Sequence, residues 1–191
     1  MTAPPTRERL LDAAWSEADE RGVEGLTLAN VGARAGVSRQ AVYLHFGNRA
    51  TLLVEMAARI DHASGFRRRL AATRELPPRD GFRRMLDAWF AYVPTILRVH
   101  LALEAASLAG GDGAQAYRDR MDDWRDGIRI AVARLDAAGD LSPRWDVDQA
   151  TDFVWAAVHP TTVHHLTAER GWTPTAAAER IIATLERELV P

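Results

Sequence analysis

Apolar residues recur at helical spacing along almost the whole chain, and short segments containing glycine or proline separate the apolar runs. In residues 7–22 the apolar positions lie three and four residues apart, and Gly22 follows them as a helix C-cap does. Two shorter runs begin at Thr27 and Ser38, whose hydroxyl groups are good N-caps. The pattern therefore predicts a small N-terminal domain of three short helices within the first 50 residues.

The remainder of the chain predicts longer helices. One, capped by Asn48, is expected from about Arg49 into the low 70s, with fraying at Gly65. Pro160 should kink the helix that contains it, because proline lacks a backbone donor and crowds the preceding turn. No alternating apolar and polar run is long enough for a strand, so the predicted fold class is all-α. The further helices are expected at 79–93, 95–109, 114–138, 147–169 and 174–189.

The segment AGVS at 35–38 joins two of the short helices in the manner of a helix-turn-helix. In that motif the first residues of the second helix contact base edges in the major groove. Arg39 and Gln40 occupy this position, and they can bind guanine and adenine, respectively, through paired hydrogen bonds. Ala41 is small enough to contact a thymine methyl group. The segment therefore predicts a DNA-binding function.

Polar groups that can contact phosphate follow the predicted recognition helix. Tyr43 and His45 can offer a hydroxyl and a ring N–H, and Asn48 and Arg49 begin a helix whose free N–H groups bind anions. The formal net charge of the chain is −2, so a surface for nucleic acid has to be local. Residues 26–54 contain no acidic residue but three arginines, which predicts a patch of charge +3.

Other kinds of chemistry find little support in the sequence. The absence of cysteine excludes disulfides and thiolate chemistry. His159, His164 and His165 are not spaced to place two metal ligands on one helical face, so we expect no metal site and no cofactor. No nucleophile–base pair or phosphate-binding loop is recognisable, so we expect no enzyme. Charged residues interrupt every apolar run well short of the roughly 18 residues of a membrane span, which predicts a cytoplasmic protein.

Several short motifs occur in order between residue 7 and about residue 60. They are Ala13-Ala14, Gly22, Gly25-Leu26-Thr27, Ala35-Gly36-Val37-Ser38, Tyr43, His45-Phe46, Asn48-Arg49 and Leu52-Leu53. In this order and spacing they resemble the DNA-binding domain of the TetR (tetracycline-repressor) family of bacterial regulators. Gly32 departs from the family pattern, which usually has alanine there. Glycine costs a helix up to ~1 kcal/mol unless close packing requires it.

The resemblance implies two domains. Residues 5–65 would form the DNA-binding domain, with the helix-turn-helix at 27–46, and residues 66–191 would form a helical domain for ligand binding and dimerisation. The protein would be a homodimer through residues 147–189. It would act as a repressor that an apolar or aromatic small molecule releases from a palindromic double-stranded DNA operator.

The predicted site residues form two groups. Those expected to contact DNA are Thr27, Arg39, Gln40, Ala41, Tyr43, His45, Asn48 and Arg49. Those expected to line an effector cavity are Trp89, Phe90, Tyr92, His100, Tyr117, Trp124 and Phe153. Two other functions stay open on the sequence: a helical adaptor of the same fold that acts through protein partners without DNA, and an all-α enzyme.

Overall fold

A computed structural model describes residues 6–108 and 114–190, and these residues form helices and no strand. The predicted all-α class is confirmed. Residues 5, 109 and 191, where some predicted boundaries fall, lie outside the described residues. The helices are α1 Thr6–Arg21, α2 Leu28–Ala35, α3 Arg39–Phe46, α4 Arg49–Ala63, α5 Phe66–Thr73, α6 Pro78–Leu108, α7 Ala114–Ala137, α8 Val147–Ala157, α9 Pro160–His164, a short π-helix His165–Glu169, and α10 Pro174–Leu189.

The structure confirms the predicted caps of the helix-turn-helix. The Thr27 hydroxyl accepts a hydrogen bond from the backbone N–H of Asn30 at 3.1 Å, and Ser38 does the same for Ala41 at 3.2 Å. Gly36 ends α2 in the left-handed region, with φ 71°, which costs glycine little. These local bonds fix where α2 ends and α3 begins, and they place Arg39 at the first helical position.

Gly32 of α2 lies close to the turn before α3 and to α3 itself. A Cβ atom at this position would come within 3.0 Å of the Val37 carbonyl oxygen and 3.1 Å of Val42 Cγ2. The backbone around Val37 has little freedom to retreat, because its N–H donates to the Gly32 carbonyl at 2.9 Å. Close packing therefore accounts for a glycine at the position where the family pattern has alanine.

Gly32→Ala should destabilise the N-terminal helices by about 1–3 kcal/mol, the usual cost of overpacking, although alanine is the better helix former. The displaced α3 should also bind DNA more weakly. Urea unfolding followed by circular dichroism measures the first effect, and a DNA titration measures the second.

Gly127→Ala is the matched control, because Gly127 also lies inside a helix but has room for a methyl group. The nearest atom to its added Cβ is Trp124 Cε3 at 3.9 Å, an ordinary contact. This substitution should stabilise the protein by roughly 0.5–1 kcal/mol. Equal stabilisation by both substitutions would show that the contact between α2 and α3 imposes no constraint.

Two of the proline and glycine predictions need correction. The prediction of separate helices at 79–93 and 95–109 is wrong, because the single helix α6 runs through Pro94 from Pro78 to Leu108. The ring of Pro94 is exposed, while the adjacent Val93 and nearby Ile96 are buried, so the packing of this face maintains the helix. The expected fraying at Gly65 is instead a full break, since this residue has φ 66° and separates α4 from α5.

The predicted kink at Pro160 is confirmed. Helix α8 ends at Ala157, and α9 begins at Pro160, where a missing N–H costs nothing because the first helical N–H groups have no intrahelical partner. The side chain of His159 accepts a hydrogen bond from the Thr161 backbone N–H at 3.3 Å and thereby caps α9.

The chain forms two compact units. The first contains the residues up to Ile60 together with Arg98–Arg118, and the second contains Asp61–Leu97 and the residues from Asp119 onward. The expected domains, 5–65 and 66–191, are each one continuous stretch of the chain, whereas each of these units combines two stretches. The division into a DNA-binding domain and a ligand-binding domain stays a prediction. Among the described residues, no helix combines the length and the apolar character needed to cross a membrane.

A buried ion pair in the second unit joins residues of α4, α6 and α7. The Asp61 carboxylate, 5% exposed, accepts hydrogen bonds from Arg120 at 2.6 and 2.9 Å and from the hydroxyl of Tyr92. Arg120 also donates to the Tyr92 oxygen at 3.0 Å. Burial raises the pKa of Tyr92, so its hydroxyl stays protonated and donates to Asp61. The three side chains hold the last turn of α4 against α6 and α7.

Candidate nucleic-acid interface

Helix α3 has one buried face and one exposed face. Val42 and Phe46 are 0% and 2% exposed and pack into the first unit, whereas Tyr43 and Leu44 are 59% and 81% exposed. The two buried residues are four apart, which is the spacing of a single helical stripe. The rest of the helix surface faces away from the core and can enter a DNA groove.

Arg39 and Gln40 lie on the exposed part of α3, in its first turn. Neither side chain makes a hydrogen bond or an ion pair within the described parts of the chain, so the donors of both and the acceptor of Gln40 stay available. Bidentate binding to guanine or adenine needs such free donors and acceptors at the helix start. The geometry fits the predicted contact with base edges.

The other predicted DNA contacts on α3 are placed differently from one another. Tyr43 and His45 are exposed, so the hydroxyl and the imidazole can both reach a phosphate. Ala41 is half-buried and presents little surface to a base. Leu44, which was not among the predicted contacts, is 81% exposed, more than Tyr43 at 59%. Its position four residues after Gln40 was a signal that could have identified it.

Thr27 and Asn48 act as helix caps in the structure. The Thr27 hydroxyl is bonded to the N–H of Asn30, and Asn48 Oδ1 accepts the N–H of Thr51 at 2.8 Å. Each cap satisfies one of the free donors at a helix N-terminus and leaves the neighbouring N–H groups for a phosphate. The predicted DNA contacts of these two residues stay predictions.

The guanidinium of Arg49 is bonded to the backbone. Its Nε donates to the Leu26 carbonyl at 2.8 Å and its Nη2 donates to the Val23 carbonyl at 2.7 Å. These bonds join the start of α4 to the segment between α1 and α2. The side chain therefore joins α4 to this segment through Nε and Nη2. A guanidinium has further N–H donors, so these bonds do not prevent a phosphate contact, which stays a prediction.

Arg49→Ala should destabilise the protein by about 2–3 kcal/mol, because it leaves two partly buried carbonyl groups without their charged donor. Arg68→Ala is the control, since Arg68 is an exposed arginine of α5. Urea unfolding measures both variants. A wild-type stability of Arg49→Ala, combined with a flatter salt dependence of DNA binding, would instead assign Arg49 to a phosphate contact.

The positive charge near α3 is smaller than the sequence window predicts. Arg34 donates to Glu17 at 3.0 Å and to both oxygens of Glu20. The hydrogen bond from Arg34 lowers the pKa of Glu20, which therefore stays ionised as the counter-ion. Arg34 lies inside the acid-free window, but its partners belong to α1. The predicted patch of +3 is thus wrong, because acidic residues pair with Arg34, whereas Arg39 and Arg49 carry no ion pair within the described residues.

Three of the seven predicted cavity residues meet in an aromatic cluster of the second unit. Trp89 and Trp124 stack with their ring centroids 4.0 Å apart, and Tyr92 stacks on Phe66 at 4.2 Å. Trp89 donates its indole N–H to the Val158 carbonyl at 2.8 Å. Phe66 was not predicted, and its position at the start of α5 offered no sequence signal for this contact.

The other four predicted cavity residues lie elsewhere. His100 and Tyr117 pack against each other in the first unit, with ring centroids 5.5 Å apart. Phe153 is 38% exposed and stacks on Trp145 at 5.0 Å. Phe90 is half-buried. The structure therefore brings together only part of the predicted set.

A cleft in the second unit adjoins the aromatic cluster. Its walls come from α5, α6 and α7 and include Leu70, Met85, Trp124 and Ile130, with Arg74 beside them. The enclosed volume is about 40 Å³, room for about one water molecule, whereas ligand pockets usually hold about 300–1,000 Å³. A ligand would have to move side chains to enter.

Two indole N–H groups of the second unit are buried without a hydrogen-bond partner among the described residues, those of Trp124 and Trp155. A buried donor without an acceptor costs about 1–3 kcal/mol. A bound acceptor, from water or a ligand, would remove this cost.

Comparison with known proteins agrees with the helix-turn-helix geometry. Residues 10–56 match the family model described as "Bacterial regulatory proteins, tetR family". The chain is also 28% identical to the probable HTH-type transcriptional regulator ArpR of Pseudomonas putida over 163 residues, which are 82% of this chain and 78% of ArpR. This chain belongs to the TetR family. As a member of the family it is a DNA-binding transcriptional regulator and not an enzyme.

Solved structures extend the TetR-type fold to the whole chain. A putative transcriptional regulator from Saccharomonospora viridis, in complex with choline, matches with a TM-score of 0.78 at 20% identity and covers 97% of both chains. The SmeT–triclosan complex matches with a TM-score of 0.72 at 23% identity and covers 97% of this chain and 92% of SmeT. The motif-based resemblance and the predicted helical C-terminal region are confirmed.

Proposed function

We propose that this TetR-family protein is a repressor that binds a palindromic operator as a homodimer and leaves it when a small apolar molecule binds the second unit. The observation that carries the DNA part is the exposed face of α3. Arg39 and Gln40 present unpaired polar groups there, at the helix end that enters the major groove in this motif.

The buried aromatic cluster supports the effector part of the proposal. Stacked Trp89 and Trp124 offer flat apolar surface, and the Trp124 indole N–H offers a donor without a partner among the described residues. The complementary molecule is an aromatic compound that carries one hydrogen-bond acceptor. Two structural neighbours were solved with choline and with triclosan, so small molecules of different chemistry bind proteins of this fold.

The dimer part of the proposal rests on the exposed surface of the last helices. Phe153 of α8 and Trp172, just before α10, are 38% and 40% exposed. Beside Trp172, the exposed small side chains of Ala176 and Ala183 border a groove along α10. A second copy of residues 147–189 would cover these side chains, and its twofold symmetry would require two half-sites about 34–36 Å apart or a multiple of that distance.

Three measurements test the assembly and the regulation. Sedimentation should give a dimer at micromolar concentration, and selection from a randomised duplex pool should return an inverted repeat. Transcription from a promoter that contains the repeat should fall when the protein is added. A stable monomer, or a selected sequence without twofold symmetry, would contradict the dimer proposal. Increased transcription would replace repression by activation.

A thermal-shift screen of aromatic compounds tests the effector proposal. A true effector raises the melting temperature by mass action, because it binds the folded protein. It also weakens operator binding, because it binds the conformation that does not bind DNA more tightly than the one that does. Trp124→Phe keeps an aromatic ring but removes the N–H donor, so it should weaken the effector, whereas Trp172→Phe should not. Equal affinity in both variants would place the ligand away from Trp124.

A further inference from the structure

Leu44 lies at the centre of the exposed face of α3. Side chains advance by about 100° per residue around a helix, so Leu44 points about 180° away from the direction midway between Val42 and Phe46. Those two residues are the ones that α3 buries, at 0% and 2% exposure, whereas Leu44 is 81% exposed. Leu44 therefore points directly away from the buried face of α3.

Its immediate surroundings on α3 are polar. Gln40 precedes it by one turn on the same face, and Tyr43 lies beside it. A single exposed leucine is ordinary on a protein surface. On a helix that contacts base edges, however, the same side chain meets the floor of the major groove.

The chemistry of the major groove restricts what Leu44 can recognise. Its base edges present hydrogen-bond donors and acceptors, and thymine adds a C5-methyl group. A leucine placed over a donor or acceptor leaves that group without a partner. Placed over the methyl group, it removes two apolar surfaces from water. Of the four base pairs, those that contain thymine therefore suit Leu44 best.

We propose that Leu44 is a specificity-determining residue that recognises a thymine methyl group in each half-site, next to the base contacted by Gln40. The proposal rests on the proposed role of α3 in binding base edges. It adds an apolar contact to the polar contacts of Arg39 and Gln40. It also assigns a function to Leu44, the largest side chain without hydrogen-bonding groups on the outward face of α3.

Replacement of thymine by deoxyuridine tests the proposal, because this change removes the methyl group and preserves base pairing. The operator is first selected from a randomised duplex pool with the wild-type protein, and each thymine is then replaced in turn. The wild-type protein should lose about fourfold in affinity at one thymine per half-site, which corresponds to about 0.8 kcal/mol for one buried methyl group. Leu44→Ala should lose much less at that position.

A gain of affinity provides the second test. Cytosine at the sensitive position should weaken wild-type binding, and 5-methylcytosine should recover about fourfold because it restores the methyl group. Leu44→Ala should not distinguish the two cytosines. Leu108→Ala is the matched control, since Leu108 is 85% exposed at the end of α6, and it should respond to deoxyuridine as the wild type does.

Two outcomes would overturn the inference while leaving the proposed function intact. One is a wild-type protein that selects an operator but is insensitive to deoxyuridine at every thymine. The other is a Leu44→Ala variant that is as sensitive as the wild type. If no sequence is selected from the pool at all, the proposed function fails and this inference fails with it.

Discussion

Asp61→Ala should lower the free energy of unfolding of the second unit by about 3–5 kcal/mol. The substitution removes a carboxylate that is 5% exposed and accepts hydrogen bonds from Arg120 and Tyr92. The guanidinium of Arg120, whose side chain is 22% exposed, would remain mostly buried without its counter-ion. An uncompensated buried charge costs far more than the ion pair itself contributes, which is why the loss should be large. Urea unfolding followed by circular dichroism measures it.

Two variants separate this explanation from a general loss of charge. Asp152→Ala breaks a surface pair with Arg125, and since Asp152 is 63% exposed the cost should be at most about 1 kcal/mol. The double change Asp61→Leu with Arg120→Met removes both buried charges, so it should be less destabilising than Asp61→Ala alone. If Asp61→Ala costs no more than Asp152→Ala, the buried charge is not what holds the last turn of α4.

The features that could be predicted from sequence are those fixed by near neighbours. Thr27 and Ser38 cap their helices through bonds to residues three positions later, and Gly36 ends α2 through its own backbone conformation. Such bonds depend on a few adjacent residues, so a local pattern contains the information. The same holds for the outward position of Arg39, which follows from its place directly after a cap.

The partners of long side chains could not be predicted, because they lie far apart in sequence. Arg49 is bonded to the carbonyls of Leu26 and Val23, which are 23 and 26 residues away, and Asp61 to Arg120, 59 residues away. The sequence at Arg49 indicates a cation near a helix N-terminus, and both a phosphate and a carbonyl satisfy that description. Only the fold shows that these carbonyls lie within reach of Arg49, and its contact with a phosphate stays a prediction.

Proline had opposite consequences at two positions for reasons that only packing reveals. Pro160 ends one helix and starts another, and it is buried. Pro94 lies inside α6 with its ring exposed, next to Tyr92 and Val93, which are each 1% exposed. The buried face of α6 compensates for the missing hydrogen bond there. A rule that counts prolines cannot separate the two cases, because both residues interrupt an apolar run of similar length.

Arg39→Ala and Gln40→Ala should each cost about 1–3 kcal/mol of discrimination at one or two base pairs of each half-site. Both side chains are exposed and unpaired within the described residues, so neither substitution should change the free energy of unfolding by more than roughly 0.5 kcal/mol. Binding to a set of operators that differ at single base pairs, at one salt concentration, measures the discrimination. The affected position should be a guanine for Arg39 and an adenine for Gln40.

Tyr43→Phe is the control that distinguishes base contacts from phosphate contacts on the same helix. Tyr43 is 59% exposed, and we expect its hydroxyl to donate to a phosphate. Because every sequence has the same phosphates, the loss of this hydroxyl should weaken all operators by the same factor. Arg39→Ala should change the order of preference among the operators. If it weakens them all equally, as Tyr43→Phe should, Arg39 contacts the backbone and α3 recognises bases through other side chains.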